Sequence, residues 1–314
     1  MSWQPTATLK NLQHRTKVIN TIRDFFILRG VLEVETPLLS RTSVTDPYIE
    51  SLSVNIKHGS SDKYYLQTSP EYAMKRLLAA YQCDIFQICK AFRQDEIGKC
   101  HNPEFTILEW YRINFDHHDL MDEVDALLQT ILKTKKADRI SYAELFQNYC
   151  GINPHEASLY MLKTIASSDS IMLTEDDKDT WLQLIMTHHI EPQLKKRDRP
   201  VFIYDFPITQ SALARIKQGD PKTASRFEVY YQGIELANGF HELKDANEQR
   251  ARFENNLIER RKRALSEMPL DEHFLSALQS GLPDCAGVAL GLDRLVMLDV
   301  GNVNIKEVIS FNDF

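Results

Sequence analysis

A chain of 314 residues, 43% hydrophobic and 26% charged, has ample material for a core; it is long for one domain but short for two large ones. Its net charge of −7 argues against coating nucleic acid through the overall field, and no run approaches the roughly 18 apolar residues of a membrane span. The N-terminus lacks the basic and apolar regions of a secretory signal, and the five cysteines (Cys83, Cys89, Cys100, Cys150, Cys285) show no C-x-x-C spacing, which favours reduced thiols in a cytoplasm over disulfides or zinc.

Apolar residues recur at helical spacing over 11–29 (Val18, Ile19, Ile22, Phe25, Phe26), and Gly30 suits the end of that helix. Residues 31–36 read as extended and stop at Pro37. Strands are expected over 49–54 and 64–68, followed by a helix start in which Ser69 caps, Pro70 takes the first helical position and Glu71 complements the dipole. Residues 84–92 form a strand candidate, 97–103 a polar loop, and 105–112 a second strand. On that strand Phe105, Ile107, Glu109 and Tyr111 share one face, with Phe105 and Glu109 roughly 13 Å apart. That length suits a base stacked at one end and a small amine held at the other, with the Arg93 guanidinium near a nucleotide's phosphates. A half-buried strand with structural charges is the plainer alternative.

A helix is expected over 117–132, and 137–193 reads as mostly helical and chemically quiet. His188-His189 has no second ligand pair at a suitable spacing, so a metal reading gains no support. A strand over 200–206 and a charged helix over 245–266 complete the scaffold. Two basic runs, Lys195-Lys196-Arg197 and Arg260-Arg261-Lys262-Arg263, read as local basic patches or as solvated helix faces.

The stretch from Phe227 to Leu243 carries three glutamates, Glu228, Glu235 and Glu242, each seven residues after the last. A two-residue Gln232-Gly233 turn places Glu235 opposite Tyr230, on the face that Glu228 shares. Two such carboxylates repel unless one takes up a proton or a hard cation such as Mg²⁺ sits between them; an ordinary solvated strand face is the alternative. Asn238-Gly239 reads as a bulge or turn that returns Glu242 to the same face. Near the C-terminus, a strand of small and apolar residues turns at Gly291 into a helix beginning near Asp293. Arg294 opposes the dipole there, which an anion such as a phosphate explains; a tie to Asp293 is the duller option.

Three segments resemble the motifs of the class II aminoacyl-tRNA synthetases: Val31-Leu32-Glu33-Val34-Glu35-Thr36-Pro37, the run from Phe92-Arg93-Gln94-Asp95 to His101-Asn102-Pro103-Glu104-Phe105, and Gly291-Leu292-Asp293-Arg294. Within that family the pattern is similar to lysyl-tRNA synthetases from about residue 11 to the C-terminus. The resemblance implies an α+β fold, a mostly antiparallel sheet flanked by helices. It also implies a single catalytic domain over 1–314 with a mostly helical insertion at about 115–198, and a homodimer formed through the first motif. It further implies ATP as co-substrate and Mg²⁺ held by Glu228 and Glu235. Arg93 would contact the α-phosphate, Arg294 and His101 the outgoing pyrophosphate, and Phe105 the adenine, with Gln94, Asp95, Asn102, Glu235 and Leu236 also around the nucleotide. Ser69, Pro70, Glu71, Glu109, Tyr111, Asn238, Glu242 and Ala289 would surround the amino acid. Three acids and a phenol suit a diamino acid, because buried ammonium groups need charged partners.

The chain departs from the lysyl pattern in leaving no room for an anticodon-binding domain, in Ala289 where those enzymes have glycine, and in Gln94-Asp95 for the usual Asn-Glu. The first two traits resemble the truncated paralogues that modify elongation factor P. Such proteins activate (R)-β-lysine (or lysine) with ATP and pass it to a lysine ε-amine of the factor, with no stable nucleic-acid partner and no membrane. A tRNA-charging paralogue and a non-catalytic amino-acid-binding regulator are the remaining readings.

Overall fold

The computed structural model describes residues 3–56, 62–94, 96–167, 177–219 and 221–313. The chain divides into two compact units, Met1–Asn114 with Lys244–Phe314, and Phe115–Leu243.

In the first unit Thr8 caps α1 (Leu9–Ile27) by accepting the Asn11 N–H, and Val18, Ile22, Phe25 and Phe26 form the buried stripe of that helix. Gly30 follows at φ 71°, a conformation that costs glycine nothing. Next come β1 (Leu32–Glu33), β2 (Leu39–Ser40), β3 (Ser53–Val54), β4 (Tyr64–Leu66), α2 (Glu71–Tyr81) and the long β5 (Ile85–Phe92) and β6 (Glu104–Ile113). The segments expected as strands over 31–36 and 49–54 are assigned as strand over only two residues each. Phe26 stacks on Phe86 at 4.8 Å and leans on Trp110 at 5.1 Å, so aromatic burial holds α1 against the sheet.

The second unit begins with α3 (His117–Leu132), which covers the expected residues and opens with an Asp116/Asp119 capping box. The helical expectation for 137–193 misses β7 (Asp138–Ser141), whose single apolar residue, Ile140, carries no period-2 signal. After it run α4 (Tyr142–Cys150), α5 (Leu159–Ser167), α6 (Lys178–Ile185) and α7 (Glu191–Leu194), with a π turn at Met186–Ile190 ahead of Pro192. The strands β8 (Val201–Pro207), β9 (Ile216–Lys217), β10 (Thr223–Tyr231) and β11 (Ile234–His241) close the unit. Tyr142, Phe146, Trp181, Leu182, Ile203 and Phe206 belong to its buried core. His189 Nε2 lies 3.2 Å from the Tyr149 carbonyl, and among the described residues no group of three or more His, Cys, Asp or Glu is placed to hold a metal ion.

The chain re-enters the first unit with α8 (Ala246–Lys262), α9 (Glu272–Gly281), β12 (Cys285–Gly291) and α10 (Leu292–Asp299). Strand order there is β1-β5-β6-β12, parallel only between β1 and β5. In the second unit it is β7-β8-β10-β11, parallel only between β7 and β8. This is the expected α+β fold, mostly antiparallel with flanking helices. Among the described residues no helix is long and apolar enough to cross a membrane, and all five cysteines are free thiols.

Arg260, read as part of a basic run, is neither a patch nor a solvated face. It is wholly buried, and its guanidinium donates to the carbonyls of Ser266 (2.8 Å) and Asp46 (2.8 Å) and to Glu50 Oε2 (2.6 Å). The Glu50 carbonyl in turn accepts the Gln94 N–H at 2.9 Å, so this arginine holds the loop that supports the residue after Arg93. Arg260→Ala strands those acceptors and leaves Glu50 without its countercharge. It is expected to cost about 3 kcal/mol or more, whereas Arg261→Ala, at an exposed pair with Glu267, costs about 1 kcal/mol or less. Urea unfolding midpoints of the two variants check the contrast.

Candidate active site

The candidate residues divide between the two units. In the first, β5, β6 and β12 lie side by side, and their register puts Gln87, Glu109 and Ala289 in one row. Glu109 is almost fully buried; its Oε2 accepts from the Ser69 hydroxyl at 2.7 Å and its Oε1 from the Tyr111 hydroxyl at 2.7 Å. Burial, and secondly the charge of Glu71, push its carboxyl up to about 7, against the opposing hydrogen bonds and Lys75. Ser69, Glu71, Glu109 and Tyr111 therefore form one cluster, and the Ala289 methyl sits on the strand position paired with Glu109. The helix start lies one residue later than expected. Pro70 is the N-cap and Glu71 the first helical residue, because the Ser69 hydroxyl accepts the Glu71 N–H at 3.1 Å. Glu71 does more than complement the dipole: its Oε1 takes the Lys75 ammonium at 2.7 Å.

Further along β6 the Arg93 guanidinium lies 5.1 Å from the centre of the Phe105 ring. Its Nη1 reaches Glu96 Oε1 at 3.4 Å, while its buried Nε has no hydrogen-bond partner among the described residues. Asp95, also assigned to the nucleotide, lies outside the described residues; Gln94 is exposed and held through its backbone. Asn102 is tied at both ends of its amide, donating to the Glu104 carbonyl at 2.6 Å and accepting from Asn312 at 3.0 Å. That makes it a brace of the loop. His101 and Arg294 do meet: His101 Nε2 and Arg294 Nη2 are 2.6 Å apart, and Arg294 Nε donates to the Cys100 carbonyl at 3.1 Å. Helix α10 starts at Leu292 with Gly291 as its cap. Asp293 is buried, pairing with Arg15 at 2.6 Å and accepting the Thr106 N–H at 2.7 Å, which fixes the helix end that carries Arg294.

In the second unit the Gln232-Gly233 turn has the expected two-residue form, with positive φ at both positions (53° and 76°), as a type I′ turn requires. A Cβ on Gly233 would also meet the Glu191 carbonyl at 3.2 Å. Tyr230 pairs with Glu235 as expected, and Glu228 pairs with Asn238. The bulge is not at Asn238-Gly239. The register shifts between Val229 and Tyr230, which leaves Leu236 as the extra residue. This earlier bulge puts Glu228, Glu235 and Asn238 on one face, and alternation carries Glu242 to it. Glu228 is buried, pairs with Arg226 Nη2 and accepts the Tyr230 hydroxyl at 2.9 Å. Arg226 also donates to Asn238 Oδ1 at 3.1 Å. Burial raises the Glu228 carboxyl to about 7; Arg226 opposes that rise and Glu235 adds to it. Glu242 is fully buried and Leu236 nearly so.

Two hard carboxylate donors on one strand face, Glu228 raised by its burial, suit a divalent cation completed by phosphate oxygens, as Mg²⁺ prefers. Sequence reasoning missed three residues here. Lys75 stands at i+4 from Glu71, a spacing that announces the pair, and Arg226 stands at i−2 from Glu228 on the same strand face. Arg260 left no signal beyond its charge. A cavity of about 550 Å³ lies along α2 and α9, lined by Glu35, Pro37, Arg76 and His273 among others, but no candidate residue lines it.

The raised Glu109 carboxyl has a stability consequence. Between its ordinary 4.5 and about 7 the folded protein holds a proton that the unfolded chain has lost, so this group makes stability fall as pH rises through that window. Glu109→Gln removes the dependence, worth at most about 3 kcal/mol. Thermal melting is expected to show a gain of the variant over the parent that grows from pH 5 to pH 8.

The model of the family described as tRNA synthetases class II (D, K and N) matches residues 1–313. A Klebsiella pneumoniae subsp. pneumoniae protein named elongation factor P--(R)-beta-lysine ligase is 51% identical over 99% of this chain and 97% of its own. Proteins of the same name from Salmonella arizonae (49% identical over 99% and 97%) and Vibrio atlanticus (48% over 99% and 98%) are similar along their whole length. With both the motif residues and the full-length match in place, the chain belongs to the class II tRNA synthetase family that comprises the D, K and N types.

Proposed function

We propose that this protein uses ATP to activate (R)-β-lysine as an adenylate and transfers the β-lysyl group to a lysine ε-amine of elongation factor P. The observation that carries the reading is the cluster of Glu71, Ser69 and Tyr111 around the buried Glu109, which suits an ammonium group, in a chain half-identical end to end to proteins named for that reaction. In the first step a substrate carboxylate oxygen attacks the α-phosphorus and pyrophosphate leaves. Arg93 neutralises charge at the α-phosphate, and its buried, unpartnered Nε is an available donor. Arg294 and His101, already in contact, receive the pyrophosphate. Phe105 offers a ring face to the adenine. In the second step the acceptor amine attacks the adenylate carbonyl, AMP leaves with the bonding electrons, and the amine's proton passes to solvent. No covalent nucleophile is required, and positioning supplies most of the rate. Glu228 and Glu235 would hold Mg²⁺, which neutralises phosphate charge when bound.

Exposed Ile27, Leu28 and Leu32 at the end of α1 and on β1 support a homodimer built on that first motif. A labelling reaction tests the function: ATP, Mg²⁺, labelled (R)-β-lysine or α-lysine, bulk tRNA and elongation factor P in one vessel. Label on the factor, favouring β-lysine, is expected; label on tRNA alone contradicts the acceptor, and label on neither contradicts the ligase reading. Because Ala289 is paired with Glu109 on the neighbouring strand, Ala289→Gly opens the pocket by one methyl and is expected to shift preference toward α-lysine. An unchanged ratio of kcat/KM for the two amino acids contradicts that role.

A further inference from the structure

Lys75 has no place in the chemistry described above, yet it is one of the more costly side chains in the first unit. Its side chain is 1% exposed, its ammonium lies 2.7 Å from Glu71 Oε1, and the Phe274 ring is 5.8 Å from it. Phe274 in turn lies flat against Tyr72 at 4.7 Å, closing the α2–α9 side. An exposed lysine paired at i+4 adds only about 0.2–0.5 kcal/mol to a helix. Burying an ammonium costs several times that, and a methionine here would fill the same space more cheaply. Helix stability is therefore a poor reason for the residue.

Its surroundings supply a better one. Glu71 from α2 and Glu109 from β6 act on each other as like charges, and Lys75 acts on Glu109 in the opposite sense. Ser69 and Tyr111 donate to Glu109, Cys89 on β5 feels the Glu109 charge, and Asp46 and Asp271 with Glu71 act on Tyr72. Within this set of acids, phenols and a thiol, Lys75 is the group that lowers the negative charge by one. A diamino monocarboxylic acid carries one net positive charge at neutral pH and a diamine carries two, so the charge the cluster presents decides between them.

We propose that Lys75 is a specificity-determining and positioning residue of the amino-acid pocket: it fixes Glu71 by one oxygen and sets the pocket's charge to favour a lysine-type substrate over a diamine. The inference rests on the proposed function. It goes beyond that reading in assigning a residue that the pocket contacts do not need.

The test measures ATP–pyrophosphate exchange against (R)-β-lysine, with cadaverine as competing diamine, for the full-length parent, Lys75→Met and Lys75→Arg. The parent is expected to hold cadaverine at least about tenfold more weakly than β-lysine, and equal or tighter binding overturns the inference. In Lys75→Met the KM for β-lysine rises and the ratio of that KM to the cadaverine Ki rises by roughly tenfold or more, while the KM for ATP stays within about twofold. Lys75→Arg, which keeps the charge, returns the ratio toward the parent value. An unmoved ratio, or a loss that strikes ATP and β-lysine alike, shows a merely structural lysine. If Lys75→Met does not melt cooperatively, Lys75→Gln takes its place, and the parent's own discrimination still decides. A parent that exchanges no pyrophosphate with β-lysine refutes the proposed function instead; calorimetric binding of cadaverine and β-lysine to parent and variant then decides the role of Lys75 separately.

Discussion

A carboxylate taken out of water must find a proton, a cation or a set of donors, and much of this molecule's chemistry follows from that constraint. Each unit holds a buried glutamate on which a second acid acts. In the first unit the like charge on Glu109 comes from Glu71, and the chain answers with its own ammonium, Lys75, and two hydroxyl donors. In the second unit the like charge on Glu228 comes from Glu235, and the answer is Arg226 and the Tyr230 hydroxyl. In both places the compensation is incomplete, and the buried carboxyl stays near 7. A group left in that state gains most when a ligand brings positive charge. An ammonium suits the first cluster, and a divalent cation suits the second.

The scaffold serves these clusters through register more than through loops. Glu109 is held on a central strand between β5 and β12, so its row includes Gln87 and Ala289 whatever the surrounding side chains do. Gln87 is itself buried and its Oε1 accepts the Thr36 hydroxyl at 3.0 Å, which ties the row to the residue before Pro37. Glu228 and Glu235 are set by a turn whose two positive φ angles permit one pairing, and by a bulge at Leu236 that shifts the phase after it. Rigid elements of this kind hold charged groups to tight tolerances, as catalysis by positioning requires.

How much of this was legible in the sequence depends on how local the cause is. The hairpin pairing of Tyr230 with Glu235 follows from two turn residues, and α3 follows from its period; both were readable. The strand carrying Phe105 and Glu109 was readable from alternation. The bulge was misplaced because Asn238-Gly239 has the composition of an irregularity, while Leu236 has that of an ordinary strand residue; the decision belongs to the pairing partner. Strand β7, with one apolar residue, forms only because β8 offers it an edge, and α9 carries no sign of its packing on α2. Arg260 shows the limit most clearly. Four adjacent basic residues look alike in sequence, and only the loop at 46–50 distinguishes the first of them by surrounding it with carbonyls and Glu50.

The central claim is that the Glu109 cluster binds an ammonium by giving up a proton held in its absence. Titration calorimetry of (R)-β-lysine into the protein near pH 7, repeated in buffers of different ionisation enthalpy, counts that proton directly. With the carboxyl near 7, binding should release roughly half a proton per site, falling toward zero by pH 9 and vanishing in Glu109→Gln. Binding with no proton release at pH 7, or the same release in the variant, would contradict the account.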